Sequence, residues 1–148
     1  MKKIILLPAV ALATLALAGA ANAAEHRIKM LNHGAQGMMT FEKPVIKAKV
    51  GDTVRFLPSD LGHNAETIAG MLPPGAVMVK GDMNKEVVVK LTKPGVYGFK
   101  CAPHFGLGMV ATVQVGDGGP NKVQAEAVAA KTPPMARKRF AANFAQLK

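Results

Sequence analysis

Residues Val96–Val115 read VYGFKCAPHFGLGMVATVQV, two strand-like runs joined by a short loop that contains the only cysteine of the chain. The runs on either side are rich in valine, with aromatic and threonine residues, and this composition favours β-strands. Within the loop, Cys101, His104 and Met109 bring a thiol, an imidazole and a thioether together in the spacing Cys-x2-His-x4-Met. The pattern predicts neighbouring strands of an all-β fold that hold a metal-ligand loop between them.

This set of side chains favours copper over other metals. A thiolate, imidazole nitrogens and a weak axial thioether form the ligand set of mononuclear blue-copper sites, which transfer electrons. Such a site needs a second histidine from a distant segment, and His63 in Gly62-His63-Asn64 is the candidate. The other histidines fit less well, because His26 lies near the start of the mature chain and His33 lies in a turn-like segment.

Three alternatives to an electron-transfer copper site remain open. Cys101 on its own is also consistent with a buried structural thiol. Zinc prefers strong N, S or O ligands, so a thioether argues against it, and no Asp or Glu lies near the loop to serve a zinc enzyme as general base. A copper chaperone or store typically presents exposed, labile Met or Cys ligands, whereas the nine methionines here are scattered.

Two residues beside the candidate ligands are predicted to support them. Asn64 directly follows His63, so its backbone or side chain can hydrogen-bond the cysteine loop and hold the two segments in register. Pro103 has no N–H and therefore cannot donate a hydrogen bond to the sulfur of Cys101. The missing donor leaves electron density on that sulfur, which favours Cu(II).

The first 23 residues have the pattern of a secretory signal peptide. Two lysines precede the apolar run Ile4–Ala18, and the small-residue site Ala21-Asn22-Ala23 follows it. A membrane anchor would need a longer apolar stretch. We therefore expect cleavage of residues 1–23, export to the periplasm, and a single mature domain at residues 24–148 without membrane insertion. An unpaired cysteine in that oxidising compartment favours a bound metal.

The chain is strongly basic, with 19 Lys and Arg against 9 Asp and Glu and a formal net charge of +10. Removal of the leader takes away two lysines and leaves a net charge of +8. A basic exported protein can bind acidic proteins, anionic lipid or nucleic acid. Because aromatic residues make up only 5% of the chain and no nucleic-acid motif is present, we expect an acidic protein partner and no nucleic acid.

Short strands separated by turn signals fill the region from residue 26 to residue 115, as in an antiparallel sandwich or barrel. The predicted strands are His26–Leu31, Val45–Val50, Thr53–Leu57, Glu86–Leu91, Val96–Lys100 and Val110–Val115.

Two helices are predicted in a C-terminal extension, residues 120–148, over Asn121–Ala130 and Met135–Leu147. Val123, Ala127 and Ala130 share one face of the first helix, and the second carries an apolar stripe of Phe140, Phe144 and Leu147.

These motifs resemble the pseudoazurins, a group within the cupredoxin family of type 1 blue copper proteins. The resemblance covers almost all of the mature chain. The spacing of the cysteine loop is shared with plastocyanins, whereas the two C-terminal helices favour pseudoazurins. Besides the cysteine loop, the matching motifs are Met30-Leu31-Asn32, Gly51-Asp52-Thr53-Val54, Gly62-His63-Asn64, Glu66-Thr67-Ile68, Pro94-Gly95-Val96-Tyr97-Gly98 and Gln114-Val115-Gly116-Asp117.

The resemblance implies a Greek-key β-sandwich of about eight strands followed by two short α-helices. It implies one type 1 copper per chain, bound by His63, Cys101, His104 and Met109, in a monomeric periplasmic electron carrier that is not an enzyme. The expected acceptor is a nitrite reductase in denitrification, with cytochromes as further redox partners. The alternative function is that of a periplasmic copper chaperone or storage protein.

The resemblance also implies a docking surface, an apolar patch around the exposed histidine ligand with lysines around it. Met39 matches a position whose thioether lies beside that histidine, here His104. Relatives often carry lysine where this chain has His33 and Leu61, so its electrostatic steering is expected to differ. The residues at docking positions are Met39, Pro103, Phe105, Leu107, Lys80 and Lys100.

Overall fold

The computed structural model describes residues 22–147, so residues 1–21 of the predicted leader lie outside the described part. Within it, eight strands are followed by two C-terminal helices, as the resemblance implies, and the six strands predicted from the sequence pattern are among them. The strands are β1 Glu25–Gly34, β2 Gly37–Phe41, β3 Val45–Ala48, β4 Thr53–Leu57, β5 Glu66–Thr67, β6 Val87–Lys90, β7 Gly95–Lys100 and β8 Val110–Val115, and the helices are α1 Lys122–Ala129 and α2 Pro134–Ala145. No helix of residues 22–147 is long and apolar enough to cross a bilayer.

The strands form two four-stranded sheets, in the orders β2-β1-β4-β6 and β3-β8-β7-β5. The pairs β1·β4 and β3·β8 are parallel, and the other neighbouring strands are antiparallel. The two sheets form the predicted sandwich. The chain crosses from one sheet to the other several times, because neither sheet is built only from strands that are consecutive in sequence.

The core between the sheets ends at the metal-ligand loop. Phe56 contacts Phe41 and Phe99, with ring centroids 5.2 and 4.9 Å apart. Cys101 and Met109 belong to the same buried cluster as these rings. Cys101 and Met109 are therefore packed into the buried core of the sandwich, which limits their freedom to move.

The helices cover the other face of the second sheet. All six residues of β8 are buried, because alternate side chains point into the sandwich core and toward the helices. Phe140, Phe144 and Leu147 are buried in this second cluster, so the predicted stripe of the second helix is confirmed. Pro134 stands at the start of α2, where a missing N–H costs nothing.

The prediction of which face of the first helix is apolar and buried was wrong. Val123 is 80% exposed, and the helix buries Ala125 and Ala129 instead. The cause is Asn121, whose side chain accepts a hydrogen bond from the N–H of Val96 at 2.9 Å and donates to its carbonyl at 2.8 Å. This contact points Asn121 inward. Ala125 and Ala129, four and eight residues later on the same helix face, therefore point inward as well.

Candidate metal centre

The cysteine loop is closed by its own backbone. Cys101 follows β7 and Met109 precedes β8. The N–H of Cys101 donates to the carbonyl of Met109 at 3.0 Å, and the N–H of Met109 donates to the carbonyl of His104 at 3.1 Å. A single 3₁₀ turn, Phe105–Leu107, fills the loop. These bonds bring three candidate ligands to one end of the sandwich.

Gly108 provides the reversal that this loop needs. It ends the 3₁₀ turn in the left-handed conformation, with φ 85°, which is costly for residues with a Cβ. A Cβ at Gly108 would also lie 2.7 Å from Cγ of Met135 in α2. Gly106, the other glycine of the loop, does not have a positive φ, and a Cβ added to it would meet nothing within 4 Å.

His63 reaches the loop from the segment before β5, as the two-segment interpretation requires. It is completely buried, and its Nε2 lies 3.0 Å from Oδ1 of Asn32 in β1. Because an amide oxygen can only accept, Nε2 carries the proton and Nδ1 is left with a free lone pair. Sequence reasoning assigned Asn32 no role, since this contact spans 31 residues.

Three donor atoms converge in front of the loop. Sγ of Cys101 lies 3.7 Å from Nδ1 of His63 and 3.6 Å from Nδ1 of His104, and the two nitrogens are 3.1 Å apart. Met109, fully buried, lies against the same loop. The cluster within the described residues contains no carboxylate. Sulfur and imidazole donors without oxygen ligands fit copper better than a hard cation.

Asn64 ties the His63 segment to the cysteine loop. Its Oδ1 accepts from the N–H of Ala102 at 2.8 Å, and its Nδ2 donates to the carbonyl of Gly81 at 3.0 Å. One buried side chain thus joins three segments beside the donor cluster. Pro103, the next residue of the loop, is exposed.

Burial sets the protonation of the two deepest donors. It raises the pKa of the Cys101 thiol, although the N–H groups of Asn64 and His104 act in the opposite direction. It also lowers the pKa of His63, helped by the nearby His104 ring. His63 is therefore neutral near pH 7, the form in which imidazole binds a metal.

The predicted docking residues differ in exposure, and His104, the ligand at which they are expected to act, is half-buried. Leu107 is 53% exposed, Phe105 is half-buried, and Lys80 is exposed. Lys100 is held in place, because its Nζ lies 3.2 Å from Oε1 of Glu66 and 5.0 Å from the centre of the Phe105 ring. Met39, which is also predicted to take part in docking, is half-buried against the sandwich core. His33 and Leu61, where relatives often carry lysine, are both exposed.

Comparison with known proteins places this geometry in a family. Residues 28–116 match the family of copper-binding proteins described as the plastocyanin/azurin family. The chain is 49% identical to a pseudoazurin of Methylorubrum extorquens, over 93% of this chain and 95% of the relative. It is 46% identical to a pseudoazurin of Paracoccus pantotrophus, over 95% and 96% of the two chains.

A solved structure agrees with these matches. The refined crystal structure of pseudoazurin from Methylobacterium extorquens superposes with a TM-score of 0.80 at 49% identity, covering 84% of this chain and 99% of that one. Copper is accordingly the cofactor, and His63, Cys101, His104 and Met109 lie close together as in a type 1 site. The chain belongs to the plastocyanin/azurin family of copper-binding proteins and, within it, to the pseudoazurins, which are electron carriers and not enzymes.

Proposed function

We propose that this chain carries single electrons between periplasmic redox proteins on one type 1 copper, held by His63, Cys101, His104 and Met109. The observation that carries the proposal is the convergence of one thiol and two imidazole donors within 4.8 Å in a cluster without a carboxylate. When bound, copper supplies the one-electron Cu(I)/Cu(II) couple. The chain supplies the cavity, the ligand orientation and the exclusion of water.

The surrounding residues hold the donors still. Asn32 fixes the His63 ring through Nε2, and Asn64 holds the cysteine loop against the same segment. Cys101 and Met109 are packed into the sandwich core and fully buried. A cavity fixed in this way reorganises little between oxidation states, which is the property that an electron carrier requires.

We propose that electrons enter and leave through His104. Of the four donors it is the only one that is not fully buried. Phe105 and Leu107, with Pro103 and Met39, would form the apolar contact with a partner, and Lys80 and Lys100 would meet acidic groups at its rim. A small apolar contact with a charged rim suits a transient encounter.

The proposal includes export and processing. Residues 1–23 would be removed as a signal peptide, leaving residues 24–148 as a monomeric single-domain protein in the periplasm. The mass of the protein recovered from the periplasm would locate the cleavage site. A mass that retains the leader would contradict this part of the proposal.

The proposed ligand set can be tested by spectroscopy. Purified protein loaded with Cu(II) should show an intense thiolate-to-copper charge-transfer band and narrow copper hyperfine splitting in its EPR spectrum. Both features should disappear in Cys101→Ser. A pale wild-type protein with ordinary copper EPR would contradict the proposed set of ligands.

We propose a nitrite reductase as the acceptor, with cytochromes as further partners. In anaerobic stopped-flow mixing, the reduced chain should pass electrons to a copper-containing nitrite reductase at a rate that falls as salt is added. Lys80→Gln should slow the reaction. Lys90→Gln should not, because Lys90 is an exposed residue of β6, in the sheet that does not contain the strands beside the cysteine loop. The absence of electron transfer, or a rate independent of salt, would contradict this partner.

A further inference from the structure

Arg139, on α2, is bound to the metal-site end of the sandwich through main-chain carbonyl groups alone. Its Nη1 donates to the carbonyls of Met39 at 2.8 Å and Gly108 at 3.0 Å, and its Nη2 donates to those of Gln36 and Met38 at 3.0 Å each. Within residues 22–147 Arg139 forms no salt bridge. Partial burial lowers its pKa, but from so high a value that the guanidinium remains charged.

The acceptors belong to two segments that are separate in sequence, and Arg139 is the α2 residue that hydrogen-bonds to both of them. Gln36, Met38 and Met39 form the turn and early part of β2, and Gly108 belongs to the cysteine loop. Met39 has a φ of 48°, in the left-handed region that is unfavourable for a residue with a long side chain. A hydrogen bond to the carbonyl of Met39 helps to hold that conformation.

The bond to Gly108 bears directly on a candidate ligand. The Gly108 carbonyl and the Met109 N–H belong to one peptide group. Arg139 donates to the Gly108 carbonyl oxygen at 3.0 Å, and the Met109 N–H donates to the carbonyl of His104 at 3.1 Å. Since a peptide group is planar, holding both ends fixes its orientation and the starting direction of the Met109 side chain.

The stem of Arg139 approaches this peptide closely. A Cβ at Gly108 would lie 3.0 Å from Cδ of Arg139, so the arginine stem packs directly against the glycine backbone. A lysine retains the positive charge but lacks the planar fork that reaches four carbonyls at once.

We infer that Arg139 is a positioning residue of the copper site, which holds the Gly108–Met109 peptide and the turn before Met39 in the geometry that the Met109 thioether would need to bind copper. The inference rests on the proposed ligand set. A purely structural role, in which Arg139 only attaches α2 to the sandwich, would change stability without changing the copper spectrum.

The test compares Arg139→Lys and Arg139→Gln with Lys138→Gln, which removes one charge from the neighbouring exposed position on the same helix. Copper transfer to a chelator should be about 10-fold faster in both Arg139 variants, as is typical when the support of a ligand is lost. The relative intensities of the charge-transfer bands should also change, since Met109 would tune the electronic properties of the bound copper. Lys138→Gln should match wild type in both respects.

The outcome separates this inference from the proposed function. Arg139 variants with wild-type spectra and copper release would overturn the inference, even if their stability falls. Absence of the blue band in wild type and in Lys138→Gln would overturn the proposed ligand set instead.

A measurement on wild-type protein covers the case in which the variants fail to fold. In the copper-free protein, the Met109 amide should exchange its hydrogen much more slowly than the amide of exposed Gly106. The reason is that the hydrogen bonds at the two ends of the Gly108–Met109 peptide do not depend on metal. Equal exchange rates at the two positions would overturn the inference.

Discussion

At the scale of single residues, amide side chains organise the copper site. Asn64 could be predicted from the sequence, because it adjoins a candidate ligand. Asn32 could not be assigned a role, since its contact with His63 exists only after β1 and the His63 segment have come together in the fold. Donor residues have a characteristic spacing, whereas the polar groups that orient them can come from any segment that passes nearby.

We expect Asn32→Ala to weaken copper binding about 10-fold. The variant loses the acceptor that holds the proton of His63 on Nε2, so the ring can turn or change tautomer. Competition with a chelator of known affinity measures the effect. The neighbouring exposed His33→Ala should bind copper as wild type does, and an equal loss in both variants would contradict the assigned role of Asn32.

Asp52 should contribute to stability in a pH-dependent way. Its pKa is lowered from 3.8 to about 2, first by the hydrogen bond with His26 and then by the N–H groups of Lys49 and Ala24. Because the pKa is lower in the folded than in the unfolded chain, the contribution is complete above about pH 4 and is lost as the pH falls toward 2.

Asp52→Asn is therefore expected to lower the free energy of unfolding by about 1 to 2 kcal/mol at pH 7 and by much less at pH 2. Denaturant unfolding at both pH values measures the difference. Asp82→Asn, which changes an exposed aspartate, is the control. A loss of stability of the same size at both pH values would show that the carboxylate charge is not responsible.

At the scale of elements, the regular segments were predicted well, although β1 continues beyond its predicted end at Leu31 to Gly34. β4 and β8 have the predicted bounds, and both helices lie where they were expected. β2 was missed, because Gly37 and Met39 both have positive φ and the segment lacks an alternating pattern. In α1 the apolar pattern is weak, and the hydrogen bonds of Asn121 decide which face is buried.

The cysteine loop offers a matched pair of glycine substitutions. Gly108→Ala should lower the free energy of unfolding of the copper-free protein by about 2 to 3 kcal/mol, from the left-handed φ and the overlap with Met135. Gly106→Ala should change it by less than about 0.5 kcal/mol, since its added Cβ meets open space. Similar effects of the two substitutions on chemical unfolding would contradict this account of the loop.

At the scale of the whole molecule, net charge indicates an acidic partner but does not locate the contact. The structure adds that Lys100 is paired with Glu66 and lies over Phe105, whereas Lys80 is exposed. The predicted ring of lysines therefore contains residues of different availability, which no count of charges reveals.

Glu66→Gln should free Lys100 and increase the association rate with an acidic redox partner about two- to fourfold at low ionic strength. The gain should vanish at high salt, where exposed charges are screened. Stopped-flow kinetics at several salt concentrations measures it. Glu126→Gln makes the same change of charge at an exposed position on α1, and an equal gain there would assign the effect to net charge alone.

The central claim is that one copper in a rigid cluster of His63, Cys101, His104 and Met109 passes single electrons and stays bound throughout. Cyclic voltammetry of the loaded protein, in the presence of a copper chelator, tests this most directly. We predict a reversible one-electron wave whose position and size persist over many cycles. A wave that decays as the chelator takes up copper after each reduction would contradict the claim and indicate a copper chaperone or store.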